Sequence, residues 1–265
     1  MLKEWKGIVA LLLGNTIIVG LVISIMGSAV YITQPVGGFN FHKEAFLFDD
    51  FPADNGVTGQ IGSFGWQKTA TAIVLGTTPI NNDVSIENLN SGTVANQNNS
   101  IYLNTQGVFN YDNVTFNPNY TVTTQARLYT EGGAQGFHGA TYRFGWVVNP
   151  PPVSPPSAWY GVEVLTTDDN WFCVSKVGGL QTRTDTGVAV NDDPVEFFDR
   201  IKLTITPTQL TCSINESTPV TVTTNLFSAA GFAGSVAIQV VNNATATNKG
   251  FELDYVAIDI LGITR

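Results

Sequence analysis

Charge is scarce in this chain, and positive charge is scarcest. Its 265 residues carry 12 Lys and Arg against 21 Asp and Glu, a formal net charge of −9. Setting aside Lys3, Glu4 and Lys6 leaves the remainder at −10, with no basic cluster. Such a body makes a poor partner for nucleic acid, where affinity comes mainly from neutralising phosphates. Cysteine is nearly absent. Cys173 and Cys212 are too few for a disulfide framework and lack metal-ligand spacing. Each follows an apolar residue two positions earlier, Trp171 and Leu210, so both should point inward, either bridged or as two buried free thiols. The two histidines, His42 and His138, are isolated, so neither a zinc site nor a Ser-His-Asp triad can be assembled around them. No Gly-rich phosphate loop opens a helix, and no cofactor is expected.

What the chain does have is a long apolar run near its start. Residues 7–33 hold 27 positions without a formal charge, ahead of the breaker Gln34-Pro35-Val36-Gly37-Gly38. A helix over that stretch would run roughly 40 Å, enough to cross a hydrocarbon layer of roughly 30 Å with some tilt. Lys3 and Lys6, with Gly27-Ser28-Ala29, resemble a signal peptide, but the run is far longer than an h-region. The expectation is a retained anchor helix over residues 1–34 and a linker over 35–44. Within it Leu11, Asn15, Ile18, Val22, Ile25, Ala29 and Ile32 follow heptad spacing with one polar position, which predicts a homo-oligomer, a trimer by the habit of fibres. Gly20, Ser24 and Ser28 form a small-residue ridge for close helix approach. The other faces carry no charge, so the helix must sit in lipid or be wrapped by other protein. The positive-inside rule then places the large domain outside. Lys6-Gly7 also resembles a type IV pilin leader, but the Glu that bacterial pilins carry five residues into the mature helix is here Leu12.

The remainder reads as strands. Period-two alternation with β-branched and aromatic residues recurs over 45–51, 70–75, 100–104, 120–129, 140–148, 158–165, 171–177, 181–184, 200–206, 209–214, 220–225, 235–241 and 252–261. Thr166-Thr167-Asp168-Asp169-Asn170 reads as a hairpin turn. The Pro-rich run 149–156 cannot pair in a ladder and should connect two strands. No βαβ alternation occurs, and a two-sheet antiparallel sandwich over 45–265 fits best.

The order of aromatic and turn residues carries a resemblance. It runs Phe46-Leu47-Phe48-Asp49-Asp50-Phe51, Ile61-Gly62-Ser63-Phe64-Gly65-Trp66, Tyr142-Arg143-Phe144-Gly145-Trp146, Trp159-Tyr160-Gly161-Val162-Glu163, Asn170-Trp171-Phe172-Cys173-Val174, Thr184-Asp185-Thr186-Gly187, residues 200–206 and residues 252–260. This succession resembles the concanavalin A-like lectin/glucanase jelly rolls of bacteriophage-type virion proteins, as in spikes, fibres and capsid-associated proteins. The resemblance spans roughly residues 44–263 and implies an all-β jelly-roll sandwich whose first and last strands pair. The hydrophobic helix is an addition to that pattern. The implied function is a non-enzymatic structural virion protein, anchored in a viral membrane or shell through residues 7–33. It would contact other virion proteins or lipid there, and adhere to host glycan through the jelly roll. Two alternatives are a cellular membrane-anchored adhesin or surface-filament subunit, and a membrane-tethered glycan hydrolase.

Chemistry is sparse in this reading. Glucanases of the superfamily place two carboxylates on one strand face in a Glu-x-Asp-x-Glu motif. The nearest match, Glu252-Leu253-Asp254-Tyr255-Val256, lacks the last acid. Asp168, Asp169 and Asn170 offer oxygen ligands for calcium, though a tight turn explains them as well. Adjacent Trp159 and Tyr160 follow the Pro-rich run, so one of them should face outward, and this edge is the expected ligand contact.

Overall fold

The structure, a computed structural model, describes residues 29–32, 44–49, 66–68, 87–88, 97–103, 115–131, 138–148, 158–191, 198–226, 234–243 and 250–264. Its strands are β1 (Ala29–Ile32), β2 (Glu44–Asp49), β3 (Gln67–Lys68), β4 (Glu87–Asn88), β5 (Gln97–Leu103), β6 (Thr115–Glu131), β7 (Ala140–Val148) and β8 (Trp159–Val164). They continue with β9 (Asn170–Val177), β10 (Leu180–Ala189), β11 (Asp199–Thr206), β12 (Gln209–Ile214), β13 (Val220–Val222), β14 (Gly234–Asn242) and β15 (Gly250–Thr264).

These strands make two antiparallel sheets, a jelly-roll sandwich. One is ordered β1-β2-β15-β6-β11-β12-β13, with β4 also pairing β15, and the other β10-β9-β8-β7-β14-β5-β3. The pairing of first and last body strands implied by the resemblance is present: Phe46 lies opposite Asp259 and Phe48 opposite Ala257. Strand faces follow the pleat. In β11 Ile201, Leu203 and Ile205 point into the sandwich, and in β12 Leu210, Cys212 and Ile214 do so. In the facing sheet Tyr142, Phe144 and Trp146 of β7, with Val236, Ile238 and Val240 of β14, close the same core.

Three indoles pin the sheets to each other. Trp146 Nε1 of β7 donates to Thr124 Oγ1 of β6 at 2.7 Å, and Trp171 Nε1 of β9 donates to Asp199 Oδ2 of β11 at 2.7 Å. Trp66, just before β3, donates to Asp49 Oδ2 of β2 at 3.0 Å. A buried N–H left unpaired costs about 1–3 kcal/mol, so each inward polar acceptor removes a penalty that these large rings would otherwise bring into the core. A fourth link is covalent. Cys173 of β9 and Cys212 of β12 form a disulfide across the sandwich, which settles the alternative left open by their spacing.

The N-terminal segment departs from expectation at one end. Ala29–Ile32, read as the last turn of the anchor helix, is a strand paired with β2, Ala29 opposite Phe48 and Ile32 opposite Ala45. Val30, Tyr31 and Ile32 are β-branched or aromatic and favour a pleated surface, and β2 presents open ladder groups beside them. The sheet thus begins before the expected domain start at residue 45. The anchor positions Leu11, Asn15, Ile18, Gly20, Val22, Ser24, Ile25 and Ser28 lie outside the described residues, as do the expected strand 70–75 and the Pro-rich run. Among the described residues no helix is long and apolar enough to cross a membrane.

Candidate functional site: the outer face of the seven-stranded sheet

Cross-strand register sorts the outward side chains of this sheet into three rows. The first runs Ser100, Gln239, Arg143, Glu163, Phe172, Asp185 from β5 to β10. The middle row runs Tyr102, Ala237, Gly145, Gly161, Val174, Arg183. The third holds Ser235, Val147, Trp159, Lys176 and Gln181. At the centre of the face the small residues Ala237, Gly145 and Gly161 lie between the Arg143–Glu163 pair on one side and Val147–Trp159 on the other.

The first row is an ion-pair network in a nearly dry setting. Arg143 Nε donates to Glu163 Oε2 at 2.7 Å and its Nη1 to Gln239 Oε1 at 2.6 Å. The side chains of Arg143 and Glu163 are only 7% and 5% exposed. Arg183 comes from β10 to the same carboxylate, Nε to Oε1 at 3.2 Å, and also pairs with Asp168 through Nη2. Its guanidinium lies 3.4 Å from the centroid of the Phe172 ring, a cation–π arrangement. Each carboxylate oxygen of Glu163 thus accepts one charge-assisted hydrogen bond, Oε2 from Arg143 and Oε1 from Arg183.

Trp159 and Tyr160 separate across the strand as alternation requires, but neither forms an exposed ligand face. Tyr160 is fully inside the sandwich, and burial pushes its phenol well above the usual range. Trp159 lies on the outer face, packed with Tyr102, Val147, Val174 and Ala237 and only 1% exposed. Its indole Nε1 is buried with no acceptor among the described residues. The reachable part of the face is its β9–β10 margin, where Phe172, Lys176 and Arg183 are half-buried and Gln181 and Asp185 exposed. Sequence reasoning missed this margin because its residues come together only through the β8–β9–β10 register.

The calcium candidates do not converge. Asp168 Oδ2 accepts from Leu165 N at 2.7 Å and pairs with Arg183, Asp169 Oδ1 meets His138 Nε2 at 3.1 Å, and Asn170 Nδ2 donates to Asp185 at 3.1 Å. The turn reading accounts for Asp168. Among the described residues no group of three His, Cys, Asp or Glu is placed to hold a metal. Asp254, the middle acid of the glucanase-like match, sits at a register shift in β15 of the eight-stranded sheet and pairs with Arg127 of the neighbouring strand β6.

No protein-family model and no curated protein sequence matches this chain. Solved structures do. A protein of unknown function from Shewanella oneidensis MR-1 aligns with TM-score 0.60 at 12% identity, over 86% of this chain and 90% of its own. A glycoside hydrolase family 16 endo-glucanase from Bacteroides ovatus aligns with TM-score 0.54 at 12% identity, over 80% and 98%. The carbohydrate recognition domain of Emp47p aligns with TM-score 0.51 at 14% identity, over 80% and 95%. At such identities the likeness is one of fold. The described residues form a concanavalin A-like jelly roll of the kind shared by lectin domains and family 16 glucanases.

Proposed function

We propose that this chain is a non-enzymatic, lectin-like display module that binds glycan on the outer face of its seven-stranded sheet. The observation that carries the reading is the Arg183–Phe172 pair at the accessible margin. A guanidinium pre-oriented by a ring beneath it and by Glu163 and Asp168 beside it makes a rigid donor for sugar oxygens. Lys176 and Gln181 add donors on the same margin. A catalytic reading is less well supported. Glycoside hydrolysis needs two carboxyl groups free to exchange protons about 5–9 Å apart, whereas Glu163 and Asp168 share one Arg as counter-ion.

The proposed setting is a virion surface, with the jelly roll outside and the apolar stretch preceding β1 embedded in a viral membrane or shell. Residues 7–28 remain uncharged without β1, about 33 Å if helical, still close to a bilayer core.

Two measurements test the proposal. The full chain in mild detergent is screened on a glycan array beside Arg183→Ala. Binding lost in that variant supports the site, and equal binding removes it. Purified particles, untreated and detergent-stripped, are then probed for the chain by mass spectrometry. Presence in particles supports display on a virion. Absence from particles with abundance in cell envelopes transfers the module to a cellular adhesin.

A further inference from the structure

The opposite side of the sandwich carries a groove of a different character. On the outer face of the β6–β11–β12 sheet, register sets Arg127 directly opposite Arg200 and Gln125 opposite Lys202, with Ser213 continuing the second row on β12 and Tyr255 the first on β15. The depression they line is open to solvent and holds about 390 Å³, within the usual range for a small-ligand site.

Its charge is what makes it unusual. This chain has only 12 basic residues, and three of them meet here. Like charges directly opposite each other on an antiparallel pair destabilise a sheet, so an acidic protein gains nothing in folding from placing Arg127 against Arg200. Each Arg is partly compensated. Arg127 pairs with Asp254 and lies 4.6 Å from the centroid of the Phe198 ring, and Arg200 reaches Glu216 at 3.6 Å. Lys202, one row further along β11, is exposed and makes no ion pair among the described residues. Glu216 is brought to the rim by the tight turn after β12, where Asn215 and Glu216 take φ of 50° and 61°, a left-handed conformation that Asn tolerates and Glu adopts rarely.

We propose that this groove binds an acidic polysaccharide, one whose sugar rings carry carboxylate groups. Lys202 meets the carboxylate, and Arg127 and Arg200 extend the positive field along the polymer. Gln125, Ser213 and Glu216 exchange hydrogen bonds with ring hydroxyls. Tyr255, stacked on Phe48 with centroids 5.6 Å apart, offers an aromatic wall for a sugar face. Charge complementarity selects the occupant: in a chain of net charge −9 this depression gathers three basic residues against one acidic residue in its lining, which attracts a polyanion. The site shares no residue with the Arg183 margin and stands or falls separately from it.

The test is titration of the full chain in mild detergent with tetra-galacturonate and, as the uncharged comparison, cellotetraose. Tetra-galacturonate should bind, weaken with added salt, and bind about tenfold or more weakly to Lys202→Glu, with Lys202→Gln intermediate. Arg183→Ala should leave that affinity unchanged. Lys202 is exposed, so these variants should keep the wild-type circular dichroism spectrum. The proposal is overturned if tetra-galacturonate fails to bind at millimolar concentration, if cellotetraose binds equally well, or if Lys202→Glu has no effect. It is also overturned if inorganic phosphate competes at equal concentration, which marks a bare anion site. Loss of binding in Arg183→Ala but not in Lys202→Glu assigns the acidic sugar to the opposite face.

Discussion

Gly145 and Gly161 face each other across β7 and β8 so closely that neither position has room for a side chain. A Cβ on Gly145 would lie 2.1 Å from the Tyr160 carbonyl oxygen and 2.6 Å from Gly161 Cα. One on Gly161 would meet the Phe144 carbonyl oxygen at 2.2 Å. The two strands approach at the centre of the outer face, between the Arg143–Glu163 pair on one side and Val147–Trp159 on the other. Gly145→Ala must push the backbones apart there. It should cost about 1–3 kcal/mol, the range for overpacking, or more because backbone and not a rotamer must yield. Urea denaturation reads the change, and an unaltered midpoint would contradict the geometry.

Glu163→Gln tests whether the buried network is structural. Removing the carboxylate leaves the Arg143 charge buried beside neutral amides, which typically costs about 3–5 kcal/mol. Thermal and urea unfolding should both shift. A cost under about 1 kcal/mol would mean that Glu163 contributes no such pairing in solution.

Asp199 gives the fold a pH signature. Burial pushes its carboxyl above the ordinary 3.8, against hydrogen bonds from Trp171, Asn191 and Asn215 that pull it down. The folded state therefore holds this proton more tightly than the unfolded chain. The resulting contribution is fully present below 3.8 and is lost as pH rises through the elevated value. Asp199→Asn cannot titrate. Wild type should thus gain stability relative to this variant as pH falls from neutral toward 3.8, measured as the difference between their unfolding free energies at each pH. A difference independent of pH refutes the assignment.

The Cys173–Cys212 bridge joins the sheets at a sequence separation of 39. A loop of that length implies about 3–4 kcal/mol of stabilisation in the chain-entropy account. The Cys173→Ala, Cys212→Ala double variant should unfold at correspondingly lower urea concentration, and adding reductant should leave that variant unchanged while lowering wild type.

Much of the fold is legible in the sequence alone. The alternation in 140–148, 171–177 and 200–214 reads as strand because every second residue must be apolar to close a sandwich, and β7, β9, β11 and β12 lie there within a residue. The two-residue strands β3 and β4 were not legible, since two residues carry no period. Ala29–Ile32 was misread because an apolar, β-branched end to a hydrophobic run suits a membrane helix and a sheet edge equally, and only pairing with β2 distinguishes them.

The candidate sites were less legible than the fold, for one physical reason. Alternation places Trp159 and Tyr160 on opposite faces, but whether the outward one meets solvent depends on what packs over it, and Trp159 is covered. Arg143, Glu163 and Arg183 are 20 residues apart at each step, and Arg127 and Arg200 are further apart still. Nothing local joins them. By itself the sequence determined the material: β-forming strands, an acidic surface, an uncharged N-terminal run and two inward cysteines, because those follow from side-chain chemistry and a period of two. Strand register, which only tertiary packing decides, determined which charges share a carboxylate, which stand opposed, and that the two cysteines meet.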